Sequence, residues 1–131
     1  MATEQLASAI RSALVEGCLP CTEAFAIAER LKVTPAEVGE AADELAVHIS
    51  RCQLGLFGYG PKAEGKHRIV QPLPEVSAEL AAALRERLKE GRLPCAAAWL
   101  IARQWGLRKL EVSGAAEALG LRVSRCQLGC F

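Results

Sequence analysis

The apolar positions of this chain fall into a pattern that occurs twice. Leu6, Ile10 and Leu14 recur every four residues, as do Leu80, Leu84 and Leu88, which places each trio on one face of a helix. Thr3 and Ser77 stand where an N-cap hydroxyl is wanted, and Gly17 and Gly91 where a left-handed residue closes a helix. A second helix is predicted after Leu19-Pro20-Cys21 and after Leu93-Pro94-Cys95. Proline is tolerated in a first turn, and Phe25, Ala28, Leu31 and Trp99, Ala102, Trp105 keep helical spacing, so both tryptophans are read as core. A third helix opens at Thr34-Pro35-Ala36-Glu37, a capping box with proline at the first helical position. The matching Arg108-Lys109-Leu110-Glu111 keeps the acid but neither the cap nor the proline.

Beyond the third helix the period changes. Residues 49–59 alternate as a strand would, Pro61 to Lys66 offer a turn, and His67 to Leu73 offer a partner strand. The second copy stops at Phe131, which aligns with Phe57, where its own hairpin would turn. Its last strand is therefore expected to remain an edge, to pair with the first copy, or to meet a second chain in a homodimer.

Sliding the sequence by 74 positions aligns residues 6–57 with 80–131 without a gap, at 25 identities in 52 positions. The expected fold class is mainly α with small β-hairpins, as two tandem three-helix units. They span residues 1–60 and 77–131, and 61–76 serve as wing strand and linker. Two units of about 55 residues have little core each and must share an interface.

At these residues the chain resembles the helix-turn-helix family, in its winged form and in tandem. The family's bihelical core needs a small residue in the first helix, a turn residue four positions on, an apolar residue next, and a β-branched residue five further along. Ala102, Gly106, Leu107 and Val112 meet those spacings in copy two. Ala28, Lys32, Val33 and Val38 meet them in copy one, where Lys replaces the favoured Gly. The alanine lets two helices cross closely, and the later apolar pair fills the angle between them.

Charge separates the copies. Residues 1–57 carry four Lys/Arg and eight Asp/Glu (−4), residues 58–76 three and two (+1), and residues 77–131 nine and five (+4). Such asymmetry fits a polyanion meeting one half, attraction between halves or copies, or drift of solvated faces. In the DNA-binding activity that the resemblance implies, the third helix lies in the major groove. Glu37, Glu40, Asp43 and Glu44 make copy one a poor fit, whereas copy two offers Arg108, Lys109, Ser113, Arg122 and Arg125 to duplex DNA. The wing adds Lys62, Lys66, His67 and Arg68 as backbone contacts.

Six cysteines bring a second chemistry. Cys21 matches Cys95 and Cys52 matches Cys126, while Cys18 and Cys130 are unmatched. The longest run shared by the copies is Ser-Arg-Cys-Gln-Leu-Gly, at 50–55 and 124–129, followed by Leu-Pro-Cys with Glu-Gly just before it. The shared cysteines are expected to approach as a pair within each copy. Cys21 and Cys95, near a helix start, are placed where the dipole favours a thiolate. Three readings stay open: small buried hydrophobes, a metal or iron-sulfur site drawn from Cys18, Cys21, Cys52, Cys95, Cys126 and Cys130, or a thiol-disulfide sensor. A four-ligand zinc signature is absent.

Nothing in the sequence carries a phosphate loop, a cofactor fingerprint or a paired carboxylate site, and only His48 and His67 could serve as a base for a thiol. The expectation is a non-enzymatic protein without a membrane segment and with no signal peptide, placed in the cytoplasm. The leading expectation is a transcriptional regulator that binds duplex DNA mainly through its second copy. A protein-interaction module and a cysteine-based metal or redox sensor are the alternatives.

Overall fold

A computed structural model describes residues 3–59 and 67–130. Its order is α1 (Glu4–Ser12), β1 (Leu19–Pro20), α2 (Cys21–Leu31), α3 (Pro35–Glu44), β2 (Ile49–Ser50), α4 (Ala78–Glu86), β3 (Leu93–Pro94), α5 (Cys95–Trp105), α6 (Lys109–Ala118) and β4 (Val123–Ser124). The chain is mainly helical, with a few two-residue strands, and among the described residues no helix is long and apolar enough to cross a membrane.

The predicted helix starts are in place. Thr3 and Ser77 accept from the Leu6 and Leu80 amides, both at 3.1 Å, and Thr34 and Glu37 form the reciprocal box. Glu111 retains half of that box by accepting the Arg108 amide at 3.0 Å. Gly17 and Gly91 are left-handed, at φ 79° each, but they do not close α1 or α4. Each follows a left-handed glutamate, Glu16 or Glu90, in a tight turn bridged from Val15 to Cys18 or from Lys89 to Arg92. That turn returns the chain to β1 or β3.

The strands differ from the expected hairpins. β1 pairs with β2 in parallel, Leu19 opposite Ile49, and β3 pairs with β4 in parallel, Leu93 opposite Val123. Strand pairing thus joins the segment before the second helix to the segment after the third. The run His67–Leu73 forms no strand: the Tyr59 amide reaches the His67 carbonyl at 3.3 Å, but the Ile69 and Val70 amides both turn to the Gly55 carbonyl. The segment is instead laid against α6, with Val70 buried, Leu73 half-buried and Ile69 exposed. The turn proposed at residues 61–66 lies outside the described residues.

In the bihelical core, Ala28, Val38, Ala102 and Val112 are buried as their spacing requires. Lys32 and Gly106 hold the same left-handed turn, at φ 56° and 65°. Lysine therefore meets the backbone demand of glycine at a conformational cost.

The two units do not keep separate cores. The core of the second unit contains Cys52 and Leu54 from the first copy, with Leu56 and Phe57 packed against it. The core of the first unit contains Leu128, with Trp99 and Cys126 packed against it. Each copy sends the segment after its last strand into the other unit. Leu54 is 0% exposed and Leu128 4%, and burying a leucine is worth about 1.5–3 kcal/mol, so each tail is a substantial part of its host's small core.

Candidate functional site

The exchanged tails are the two copies of Ser-Arg-Cys-Gln-Leu-Gly. Arg51 and Arg125 are left-handed, at φ 50° and 49°. The Gly55 and Gly129 amides close a turn onto the Cys52 and Cys126 carbonyls, at 2.9 and 3.0 Å. One hexapeptide thus makes the same hook twice. Its glutamine turns back to the helix-start thiol of its own copy: Gln53 Nε2 donates to Cys21 Sγ at 3.7 Å and Gln127 Nε2 to Cys95 Sγ at 3.6 Å. Gly39, at the middle of α3, is where the tail of copy two crosses, since a Cβ there would overlap the Leu128 carbonyl oxygen.

This architecture gathers Cys21, Cys52, Cys95, Cys126 and Cys130 at the junction, where Cys21, Cys52, Cys95 and Cys130 feel the charge of thiols from the other copy. Pairing within a copy is therefore only part of the arrangement. Cys21 and Cys95 are buried, and burial raises both thiols, Cys95 to about 11, despite the glutamine donors. The expected thiolate at these helix starts is corrected: loss of hydration outweighs the dipole.

Cys52 and Cys126 sit in the same hook yet move in opposite directions. Burial raises Cys52, although the amides of Leu54, Gly55 and Leu56 point to it. Cys126 is lowered to about 6, first because the Cys130 thiol donates to it and then because the Leu128, Gly129 and Cys130 amides do the same. The Cys130 thiol is raised as the donor of that bond. Cys130 is replaced by Leu56 in the first hook, so one side chain accounts for the split. Both sulfurs are free thiols, half-buried at Cys126 and exposed at Cys130.

Cys18 stands apart in the Val15–Cys18 turn. Among the described residues, no three His, Cys, Asp or Glu side chains are arranged to hold a metal ion. The six cysteines are thus gathered in part, but not as a ready ligand set.

The residues expected to face DNA are dispersed. Ser113 is 1% exposed and cannot reach a groove, because it lies on the core side of α6. Lys109 is held over the Trp99 ring, 4.2 Å from its centre, and donates to Gln53 Oε1 at 3.1 Å. Arg108 Nε pairs with Glu111 at 3.2 Å and Arg68 with Glu117 at 3.0 Å. Arg122 and Arg125 are exposed, while Lys62 and Lys66 lie outside the described residues. The run read as a wing strand covers α6 instead: the Leu73 amide donates to the Gly114 carbonyl, and Gly55 lies against Leu110.

Trp105 is 41% exposed rather than core, and Trp99 sits at the junction. The signal for the junction was in the sequence, since the hook is the longest shared run. That each hook crosses to the other unit had no local sign. Beyond β4 the chain lays Leu128 against α3 of the same chain. Comparisons with protein-family models, with curated proteins and with solved structures find no match.

Proposed function

We propose that this chain is a non-enzymatic thiol-based redox sensor whose reactive pair is Cys126 and Cys130. The observation that carries this reading is the presence of two free thiols, Cys126 and Cys130, in one hook whose counterpart has Leu56 in place of Cys130. The neighbouring thiol and the hook amides lower Cys126, while burial raises Cys52. A thiolate is the nucleophilic form of cysteine, and a nearby resolving thiol makes its oxidation reversible.

The chemistry takes two steps with a hydroperoxide as oxidant. The Cys126 thiolate attacks the terminal peroxide oxygen, the O–O bond breaks, and the sulfenic acid forms as hydroxide or alkoxide leaves. The Cys130 sulfur then attacks the Cys126 sulfur, the S–O bond breaks, its proton leaves with the hydroxyl as water, and a disulfide closes a five-residue loop. Leu128 lies inside that loop and inside the core of the first unit, so closing the loop pulls on the packing of α3. This supplies a route from oxidation to conformation.

One equivalent of hydroperoxide added to reduced protein should remove two hydrogens by intact mass and link Cys126 to Cys130 in a peptide map. Cys130→Ala should stop at a sulfenic acid trapped by dimedone. Oxidation of Cys21 or Cys52 first, or none, overturns the proposal.

A second reading, duplex DNA as partner, is favoured by the exposed Arg108, Arg122 and Arg125 of the second unit. A gel shift at low and moderate salt tests it. Arg108→Glu should weaken binding and flatten its salt dependence, and an unchanged shift removes it.

A further inference from the structure

We propose that a cleft on the second unit, between α6 and the β3–β4 pair, binds a small phosphate monoester. The cleft is open, about 500 Å³, and its polar wall is made by Arg68, Arg92, Arg122, Glu117 and Ser113 over a floor that includes Leu121. The proposal is independent of the thiol pair.

Three observations converge on an anion. The first is register. Leu93 lies opposite Val123 and its amide donates to the Arg122 carbonyl at 2.8 Å, so Arg92 and Arg122 enter adjacent strands side by side. Like charges in neighbouring positions repel, and an anion between them removes the repulsion. The second is charge balance. Among the described residues Glu117 is the single acid of the wall and is engaged by Arg68 at 3.0 Å, which leaves two arginines in excess.

The third is Ser113. It lines the cleft, it is 1% exposed, and its hydroxyl is buried with no hydrogen-bond partner. A buried hydroxyl without a partner is unfavourable, and a ligand oxygen at the cleft wall would satisfy it. The first copy has none of this chemistry: Cys18 and His48 replace the two arginines and Gly39 replaces Ser113. At Gly39 the Leu128 backbone fills the space, whereas Ser113, although buried, borders the cleft. Divergence after duplication therefore opened a cleft and charged it together.

A phosphate monoester suits this wall. Its dianion matches the two unpaired guanidinium groups, its remaining oxygen has a hydroxyl to meet, and Leu121 offers an apolar surface for the ester group.

The experiment is amide-resolved NMR titration of the intact, reduced protein with inorganic phosphate, adenosine monophosphate and a short duplex DNA in parallel. Saturable shifts centred on residues 92, 113 and 122 are expected with phosphate and the monophosphate. Arg92→Gln and Arg122→Gln, both at exposed positions, should each weaken binding by about tenfold, the scale of one lost charge-assisted hydrogen bond. Ser113→Ala should weaken anion binding and raise the melting temperature, because it deletes an unsatisfied hydroxyl. Absence of saturation, binding unchanged by the arginine substitutions, or saturation by the duplex alone overturns the proposal.

Discussion

Phe25 and Trp99 occupy the same position in the two copies and meet ring to ring, with centroids 4.3 Å apart and planes inclined by 42°. Equivalent side chains in contact mark the axis about which one copy turns onto the other. Around that axis each hook enters the opposite core. Trp99 also carries Lys109 on its face, so Trp99→Ala should cost about 2–4 kcal/mol, below the full cost for a buried tryptophan because Trp99 is half-buried. Trp99→Phe, which restores the residue of copy one, should cost far less. Denaturant unfolding of the three proteins measures both.

Exchange of the hooks predicts damage at a distance in sequence. Leu128→Ala should destabilise by about 2–5 kcal/mol. Hydrogen exchange should then rise first in α1, α2 and α3, the helices of the other copy, because Leu128 belongs to their core. Leu54→Ala should act the same way on α4, α5 and α6. Protection lost only within the mutated copy would mean that the cores are not exchanged.

Gly39→Ala tests the crossing point. The added methyl would overlap the Leu128 carbonyl, a backbone atom that cannot turn aside, so the tail must leave α3. The Cys126 thiol should then lose its ordered amides and move up toward its ordinary value, which an alkylation rate against pH would read out.

Much of this fold could be read from the sequence. The helices, their caps and the bihelical packing followed from Thr3, Thr34, Ala28 and Val112, because capping and helical period are local. The exchange of hooks did not follow, since Cys52 and Leu54 are as apolar toward one core as toward the other. Ser113 reads as a polar surface residue in the sequence, because helical spacing alone does not show which side of α6 is covered by residues 67–73. A helix start points to a thiolate at Cys21. The thiolate falls at Cys126 because of Cys130, an unmatched cysteine near the end of the chain.

Lys32 offers a gain in stability. Its backbone is left-handed at φ 56°, as is Gly106 at the matching turn. Lys32→Gly should therefore stabilise the protein by about 1 kcal/mol, through relief of Cβ crowding offset by the entropy of glycine in the unfolded chain. A raised thermal midpoint checks it.

Stability should vary with pH through the thiols. Cys126 is lowered from 9.0 to about 6 in the folded state, so between these values the unfolded chain binds more protons and stability rises with pH. That contribution is fully present above 9 and is lost as pH falls through 6. Cys95 is raised to about 11, so its contribution is present below 9 and is lost as pH rises through 11. Thermal midpoints measured from pH 5 to 11 under reducing conditions should therefore peak near 9. In Cys126→Ala the rise from 6 to 9 should flatten.

The rate of iodoacetamide alkylation at Cys126, followed by peptide mass spectrometry against pH, tests the thiolate most directly. The expected midpoint is about 6 in the wild-type protein, and it should move upward in Cys130→Ala, where the thiol donor is gone. A wild-type midpoint near the ordinary 9.0, or one that the Cys130 substitution leaves in place, would contradict a thiolate at Cys126 held by Cys130.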